Sequence, residues 1–221
     1  PSSVKSIGCD AFEGCKMLTK ITYENDPSKL EILSKSFKLK ISILGPEKAG
    51  KTSLLERYVN GHIIDTYNST IGIDTEIKNI DIIGNNVELI LLDTTSSASF
   101  QSFSAFFYRG SDCMVAVFDL NNRNSFNYCK KMVKDFFDSY KPLASILIGN
   151  KSDLNHDVPN EDIELLVNEY NIKYFEVSVV NNSNIDEAFK YVVTEAIKDD
   201  LEEENRLKKL INDGFMNQNG D

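Results

Sequence analysis

The sequence is short of basic residues and has no long apolar run, and these two shortages exclude whole classes of protein. Its 221 residues carry 24 lysines and arginines against 34 aspartates and glutamates, which gives a formal charge of −10. A surface that binds nucleic acid or anionic lipid needs a basic field, so we expect neither as a partner. No apolar run approaches the roughly 18 residues that span a bilayer, so the sequence predicts no transmembrane helix.

Cysteine is also scarce, and its spacing is not that of a metal site or a disulfide framework. Cys9, Cys15, Cys113 and Cys129 form no C-x-x-C pair and have no histidines at zinc-binding distance in the sequence. This pattern predicts reduced, buried thiols in a cytoplasmic protein. The chain begins at Pro1 without a methionine, which favours a fragment of something longer.

What the sequence does contain, between residues 37 and 198, is an alternation of short apolar runs and longer amphipathic stretches. This alternation predicts an α/β fold with a mostly parallel sheet and helices on both faces. The residues 84–86 (GNN) are a hairpin-turn signal that adds one antiparallel edge pair, for six strands in all. The predicted strands are 37–44, 74–83, 87–93, 113–119, 144–150 and 173–177, and the predicted helices are 52–60, 125–139, 160–170 and 184–197.

The two ends of the chain differ from this central region. Residues 1–24 have unevenly spaced apolar positions. Residues 25–36 begin with residues typical of turns and are predicted to be a linker. Residues 199–221 begin with acidic side chains, continue with basic ones and end in a polar tail. Because that order of charges suits the helix dipole and i,i+4 ion pairs, we expect a charged helical extension there.

The most informative motif is residues 45–52 (GPEKAGKT), between a predicted strand and a predicted helix. It fits the pattern G-x-x-x-x-G-K-[ST], in which backbone N–H groups at a helix N-terminus surround phosphate oxygens. Lys51 is expected to reach the β- and γ-phosphates, and the Thr52 hydroxyl to bind Mg²⁺. A carboxylate at Glu47 would repel a γ-phosphate unless it turns to solvent or pairs with Lys48. The predicted phosphate-binding residues are Glu47, Lys48, Ala49, Gly50, Lys51, Thr52 and Ser53.

A second motif, residues 150–153 (NKSD), follows another predicted strand and is expected at the same edge of the sheet. The Asp153 carboxylate can accept hydrogen bonds from both N1–H and the 2-amino group of guanine, whereas adenine has no such pair of donors. A buried acceptor that the wrong base leaves unpaired costs free energy. The two motifs together therefore select guanine over adenine nucleotides. The predicted base-reading residues of this motif are Asn150, Lys151 and Asp153.

With these two motifs in place, residues 37 to about 198 resemble a small GTPase of the Ras superfamily, and within it the Rab family. The Rab-like segments are 69–74 (STIGID), 107–110 (FYRG) and 175–178 (FEVS). The resemblance implies a Ras-like P-loop fold, with GTP or GDP and Mg²⁺ as cofactors. It also implies signalling or vesicle-trafficking partners: effectors that bind switch I and switch II, an exchange factor and a GTPase-activating protein.

The resemblance further assigns roles to single residues. Thr70 matches the switch I threonine that closes on Mg²⁺ and the γ-phosphate, and Asp93 matches the acid that holds Mg²⁺ through water. Ser178, Val179 and Val180 match the segment beside the base, where the Val179 N–H would face guanine O6. The implied metal-binding set is Thr52, Thr70 and Asp93.

Switch II departs from the family pattern. Residues 93–97 (DTTSS) stand where the family has Asp-Thr-Ala-Gly-Gln. Ser96 replaces a glycine that donates to the γ-phosphate, and Ser97 is too short to position the attacking water as the glutamine does. We therefore expect slow intrinsic hydrolysis and assign no catalytic residue, with Gln101 as an alternative group to position water. The alternative function is a pseudo-GTPase, an interaction scaffold that does not cycle or does not bind nucleotide.

Two other positions depart from the family. Ile63 and Val180 stand where it has an aromatic residue and a lysine beside the base, which predicts a weaker hold on the nucleotide. No cysteine follows Cys129, so we expect no direct lipid anchor, and membrane attachment would pass through partners.

Residues 3–21 resemble one leucine-rich repeat of the BspA-like type, in SVKSIG, AFEGC and LTKI. Such repeats occur in arrays with a period of about 20–29 residues, because one repeat cannot bury its own apolar face. We expect residues 1–24 to be the end of such an array. The alternative is an unstructured leader.

Overall fold

Most of the described chain is organised around one six-stranded sheet, with the strand order β4-β5-β3-β6-β7-β8. The computed structural model describes residues 21–22, 31–32, 36–62, 73–94, 109–203, 205, 206 and 209. The strands in this part of the chain are Ile21–Thr22 (β1), Glu31–Ile32 (β2), Ser36–Leu44 (β3), Ile73–Ile82 (β4), Asn85–Thr94 (β5), Cys113–Asp119 (β6), Ala144–Asn150 (β7) and Lys173–Val177 (β8). The helices are Lys51–Asn60 (α1), Arg123–Ser139 (α2), Asn160–Tyr170 (α3) and Ile185–Ala196 (α4).

Five of the six strands run parallel, and the sixth, β4, pairs antiparallel with β5 at the edge. The carboxyl ends of the parallel strands therefore lie along one edge of the sheet. At that edge Asn150 of β7 pairs in register with Asp119 of β6 on one side and with Val177 of β8 on the other. Loops that follow these strands are brought together there, which is where ligands bind in open α/β sheets.

The core lies on both faces of the sheet, and β6 shows why. All of its residues are buried, so it reads as an unbroken apolar run rather than an alternating one. Val115 and Val117 belong to the core on one face, while Met114 and Phe118 belong to the core on the other. Helices α1 and α4 cover the first face and α2 and α3 cover the second. The predicted fold class, a Ras-like mostly parallel sheet with one antiparallel edge hairpin and helices on both faces, is confirmed.

The first face is closed by an aromatic stack. The rings of Tyr58 in α1 and Phe189 in α4 lie parallel, with centroids 3.9 Å apart. The Lys78 ammonium of β4 lies 3.8 Å from the Tyr58 ring centroid, on the same cluster. This cluster fixes the end of α1 against α4, and α1 begins directly after the loop that follows β3.

The hairpin turn lies one residue earlier than the predicted turn at 84–86. Ile82 of β4 pairs with Asn85 of β5, which leaves Ile83 and Gly84 as the two turn residues. Their φ angles, 55° and 80°, are both in the left-handed region that a two-residue turn of this hand requires. The Asp81 side chain accepts a hydrogen bond from the Gly84 N–H at 3.0 Å, which holds the turn although isoleucine is a poor residue for it.

The ends of the chain are described only in part. Residues 1–20 of the predicted repeat remnant (1–24) lie outside the described residues. Strand β1 falls within that predicted remnant and pairs antiparallel with β2, which falls within the predicted linker (25–36). The main sheet begins at residue 36 rather than 37. Residues 198–203, 205, 206 and 209 are helical, in the region of the predicted charged extension.

Two of the four cysteines fall in the described part of the chain, and both are buried free thiols, as predicted. Burial raises the pKa of Cys113 to about 12 and that of Cys129 to about 12, so both stay protonated at neutral pH. None of the described helices is long and apolar enough to cross a membrane.

Candidate functional site

The loop between β3 and α1 is shaped by two glycines that the packing does not allow to be replaced. A Cβ atom on Gly45, whose φ is +148°, would lie 2.1 Å from the carbonyl oxygen of Val117 in β6. A Cβ atom on Gly50, whose φ is +91°, would lie 2.3 Å from the side-chain nitrogen of Asn150 in β7. The loop therefore passes against the carboxyl ends of β6 and β7, and the motif glycines are what permit that approach.

Lys51 begins α1 and turns its side chain back over this loop. Its ammonium donates to the carbonyl oxygens of Gly45 at 3.0 Å and Pro46 at 3.1 Å, and the residue is only 7% exposed. Burial lowers the pKa of Lys51, and the nearby Asp93 carboxylate acts in the opposite direction. A phosphate at the loop would favour the charged form of Lys51 further, because an adjacent anion stabilises an ammonium.

Thr52 and Asp93 come together from different elements. The Thr52 hydroxyl in the first turn of α1 donates to an Asp93 carboxylate oxygen at 2.5 Å, and Asp93, near the end of β5, is buried. A hydroxyl and a carboxylate are hard oxygen donors of the kind that Mg²⁺ prefers. No group of three or more histidine, cysteine, aspartate or glutamate side chains forms a metal site within the described residues. A cation here would therefore need oxygen atoms from its ligand as well.

The Asn150 side chain joins the loop between β3 and α1 to the 150–153 motif. Its Nδ2 donates to the Ala49 carbonyl oxygen at 2.9 Å, and its Oδ1 accepts from the Lys151 N–H at 2.8 Å. Asn150 is 2% exposed, so both bonds are protected from water. The two motifs, about 100 residues apart in the sequence, therefore form one site, as their strand positions predict.

Asp153 is held by the loop that follows β8. The Ser178 hydroxyl donates to the Asp153 carboxylate and accepts from the Asn181 N–H at 3.1 Å, and Ser178 is 1% exposed. The Ser152 N–H donates to the Val177 carbonyl oxygen at 3.1 Å, which ties the two loops together by the backbone as well. Asp153 itself is exposed, whereas the motif predicted a buried acceptor. It lies beyond the last residue of β7, in the loop that follows the strand.

The remaining predicted residues are placed as follows. Val179 is buried and Val180 is 67% exposed, side by side after Ser178. Glu47 and Lys48 are both exposed, which agrees with side chains that turn to solvent, and Ser53 is half-buried in α1. The predicted residues that lie outside the described part of the chain are Ile63, Thr70, Ser96, Ser97 and Gln101.

Two residues of this site were missed from the sequence. The Arg57 guanidinium of α1 donates to the Val179 carbonyl oxygen at 3.2 Å and to the Gly61 carbonyl oxygen at 3.0 Å. Asp119, at the end of β6, pairs with the Lys151 ammonium at 2.5 Å. The only signal for Asp119 was a carboxylate at the carboxyl end of a buried strand, and nothing in the sequence distinguished Arg57 from other surface arginines.

Comparison with known proteins identifies the family of this chain. A sequence model of the Ras family matches residues 40–198. The Ras-related protein RABG3f of Arabidopsis thaliana is 36% identical over 190 residues, which cover 81% of this chain and 92% of that protein. The Ras-related protein Rab7 of Cenchrus ciliaris is 35% identical over 75% of this chain and 85% of its own length, and the GTP-binding protein yptV5 of Volvox carteri is 34% identical over the same shares. The chain therefore belongs to the Ras family, and it is similar to Rab proteins within it.

Proposed function

We propose that this chain is a guanine-nucleotide-binding switch of Rab type that uses Mg²⁺ and hydrolyses GTP slowly. The observation that carries the proposal is the Asn150–Ala49 hydrogen bond, which brings the loop at 45–50 and the NKSD motif into a single site. Relatives of this chain are named GTP-binding and Rab proteins, which supports the same ligand.

The phosphates would lie in the loop at the N-terminus of α1. Backbone N–H groups at a helix start attract anions through the helix dipole, and the Lys51 ammonium is already held above the loop by Gly45 and Pro46. On binding, Lys51 would exchange these carbonyl contacts for β- and γ-phosphate oxygens. Because Glu47 is exposed, its carboxylate need not approach the phosphates.

Thr52 and Asp93 fit a Mg²⁺ ion beside those phosphates. The Thr52 hydroxyl oxygen would bind the ion directly, Asp93 would hold it through water, and Thr70 would complete the set from switch I. When bound, Mg²⁺ neutralises charge that develops on the phosphate oxygens. Within the described residues, the short Thr52–Asp93 contact shows that these two donors already converge.

The base would lie against Lys151 and be read by Asp153. The Ser178 hydroxyl fixes one carboxylate oxygen of Asp153, so the carboxylate is oriented before any base binds. An oriented carboxylate accepts from N1–H and the 2-amino group of guanine together, and adenine cannot satisfy it. The Val179 backbone, which Arg57 fixes through its carbonyl oxygen, would offer its N–H to guanine O6.

The regulatory side of the proposal rests on switch I and switch II. Ser96 and Ser97 replace the glycine and glutamine that support hydrolysis, so GTP would persist in the site. A long-lived GTP state would keep effectors bound to the two switch segments until a GTPase-activating protein intervenes, and an exchange factor would reload the site. If the protein neither binds nor cycles nucleotide, the same surfaces would serve a scaffold.

Asp153→Asn tests the reading of guanine. An amide cannot accept from two donors through two oxygens, so we expect GDP to bind about 10- to 100-fold more weakly. Xanthosine diphosphate, which has a carbonyl at position 2, should then bind the variant better than GDP does. Fluorescence titration with labelled nucleotides measures both, and Asp157→Asn, an exposed carboxylate in the same loop, is the control. Unchanged GDP binding by Asp153→Asn would contradict the proposed base reading.

Restoring the family residues tests the proposed slow hydrolysis. In the double variant Ser96→Gly, Ser97→Gln, the attacking water regains its positioning group, and single-turnover GTP hydrolysis should accelerate by at least about tenfold. Gln101→Ala serves as the companion variant, because it slows hydrolysis only if Gln101 already positions the water. A wild-type rate equal to that of the double variant would show that hydrolysis is not impaired.

Val180→Lys tests the proposed weak hold on the base. An added lysine would place its stem and charge beside the base, and an exposed contact of this kind is worth ~0.5–1 kcal/mol, or roughly two- to fivefold in release rate. Release of fluorescent GDP should slow by that factor. Leu165→Lys in α3 is a matched control, because Leu165 is 65% exposed and Val180 is 67% exposed. Equal slowing in both variants would mean that net charge, rather than contact with the base, sets the rate.

A further inference from the structure

The side chain of Lys151 is fixed at its far end by Asp119. Its ammonium lies 2.5 Å from an Asp119 carboxylate oxygen, and the two side chains are 34% and 12% exposed. The surface ion pair Lys134–Asp138 is far more open, with side chains 60% and 61% exposed. A partly buried pair is less screened by water and salt than an exposed one, so the Lys151–Asp119 contact holds its geometry better.

Asp119 is held in place before it meets the lysine. Its N–H donates to the Ser125 hydroxyl at 2.9 Å, and its second carboxylate oxygen accepts from the Asn121 N–H at 2.9 Å. It is the last residue of β6 and pairs in register with Asn150. The carboxylate is therefore a fixed point at the edge of the sheet.

The near end of Lys151 is fixed as well. Its φ angle of +65° is in the left-handed region, its N–H donates to Asn150 Oδ1, and its carbonyl oxygen accepts from the Leu154 N–H at 3.0 Å. With the backbone set by Asn150 and Leu154 and the ammonium set by Asp119, the aliphatic stem between them is held at both ends. A free lysine side chain samples many rotamers, and fixing it before binding removes that entropy cost from the binding step.

We propose that Asp119 is a positioning residue for the nucleotide base. Asp119 holds the Lys151 stem in place, and the stem forms a preformed wall of the base site. The inference rests on the proposed function, because it takes the base to lie against Lys151. Val180, which is 67% exposed, stands where the family has a second lysine beside the base. Lys151 would therefore carry more of the contact with the base than it would if both lysines were present. Asp119 acts through Lys151 and makes no contact with the base itself.

The role of Asp119 can be separated from the reading of the base edge. A wall contacts the face of a purine, which is the same in guanine and hypoxanthine, whereas Asp153 reads the 2-amino group that hypoxanthine lacks. Loss of the Asp119 contact should therefore accelerate the release of GDP and of inosine diphosphate by the same factor. A general loosening of the loop would disturb Asp153 too and change the ratio between the two nucleotides.

Asp119→Asn is the test variant. The amide can keep the bond from the Asn121 N–H through its oxygen, but it then presents an NH₂ group to the lysine ammonium and the ion pair is lost. We expect release of fluorescent GDP and of fluorescent inosine diphosphate to accelerate about tenfold each, as stopped-flow measurements can show. Asp138→Asn removes an equal charge and an ion pair with Lys134 far from the site, and should stay within about twofold of the wild type.

Lys151→Met supplies the second arm, because it keeps an unbranched apolar stem and removes the ammonium. It should accelerate release about as much as Asp119→Asn, and adding Asp119→Asn to it should change nothing further. If Asp119→Asn does not fold, as judged by circular dichroism, Lys151→Met alone still reports on the contact.

Three results would overturn the inference. They are a release rate for Asp119→Asn equal to that of Asp138→Asn, different factors for the two nucleotides, and additive effects of Asp119→Asn and Lys151→Met. Each leaves the proposed function standing, since the wild type still binds guanine nucleotide. A wild-type chain that binds no guanine nucleotide would overturn the proposed function, and the inference with it.

Discussion

The hydrogen bond from the Asn150 side chain to the Ala49 carbonyl oxygen is the interaction on which the rest of the site depends. It joins the end of β7 to the loop between β3 and α1, 101 residues apart in the sequence. The same side chain accepts from the Lys151 N–H, so one amide also positions the loop that follows β7. Because Asn150 is buried, neither bond is exchanged for water. It also explains Gly50, since any Cβ atom there would collide with the amide nitrogen that donates.

The parallel sheet makes that contact possible. Strands β3, β6, β7 and β8 all end at one edge, and the fully buried β6 brings the Val117 carbonyl against Gly45 while its last residue, Asp119, reaches Lys151. Asp93, Asp119 and Asn150 are thus anchored at or near the ends of strands, and Lys51 and Thr52 in the first turn of α1. Rigid anchoring of this kind positions ligand-binding groups more closely than a mobile loop would.

Much of this arrangement follows from local sequence signals. Strands β6, β7 and β8 and helix α3 have the predicted bounds, because each is a compact apolar or amphipathic run with clear breaks on both sides. The hairpin turn was predicted one residue too late, because two consecutive asparagines gave a stronger turn signal than Ile83. The side-chain bond from Asp81 that stabilises the observed turn is invisible to propensity.

Contacts between residues far apart in the sequence could not be predicted from it. Arg57 meets Val179 across 122 residues and Lys151 meets Asp119 across 32, and neither pairing leaves a periodic or motif signal. The exposure of Asp153 was also not predicted, because burial at the end of a strand depends on what covers it rather than on the residue itself. Family motifs identify which side chains face a ligand, but the side chains that hold them in place emerge only from the fold.

The function proposed for this Ras-family chain is a switch that holds GTP for long periods, because the chain has the motifs at 45–52 and 150–153 but serines at positions 96 and 97. The measurement that tests this most directly is the identification of nucleotide released from the purified protein by denaturation, separated by liquid chromatography. A guanine nucleotide in near-stoichiometric amount, with GTP present beside GDP, is the predicted result. An adenine nucleotide, or no nucleotide from a folded protein that also fails to take up added GDP, would contradict it.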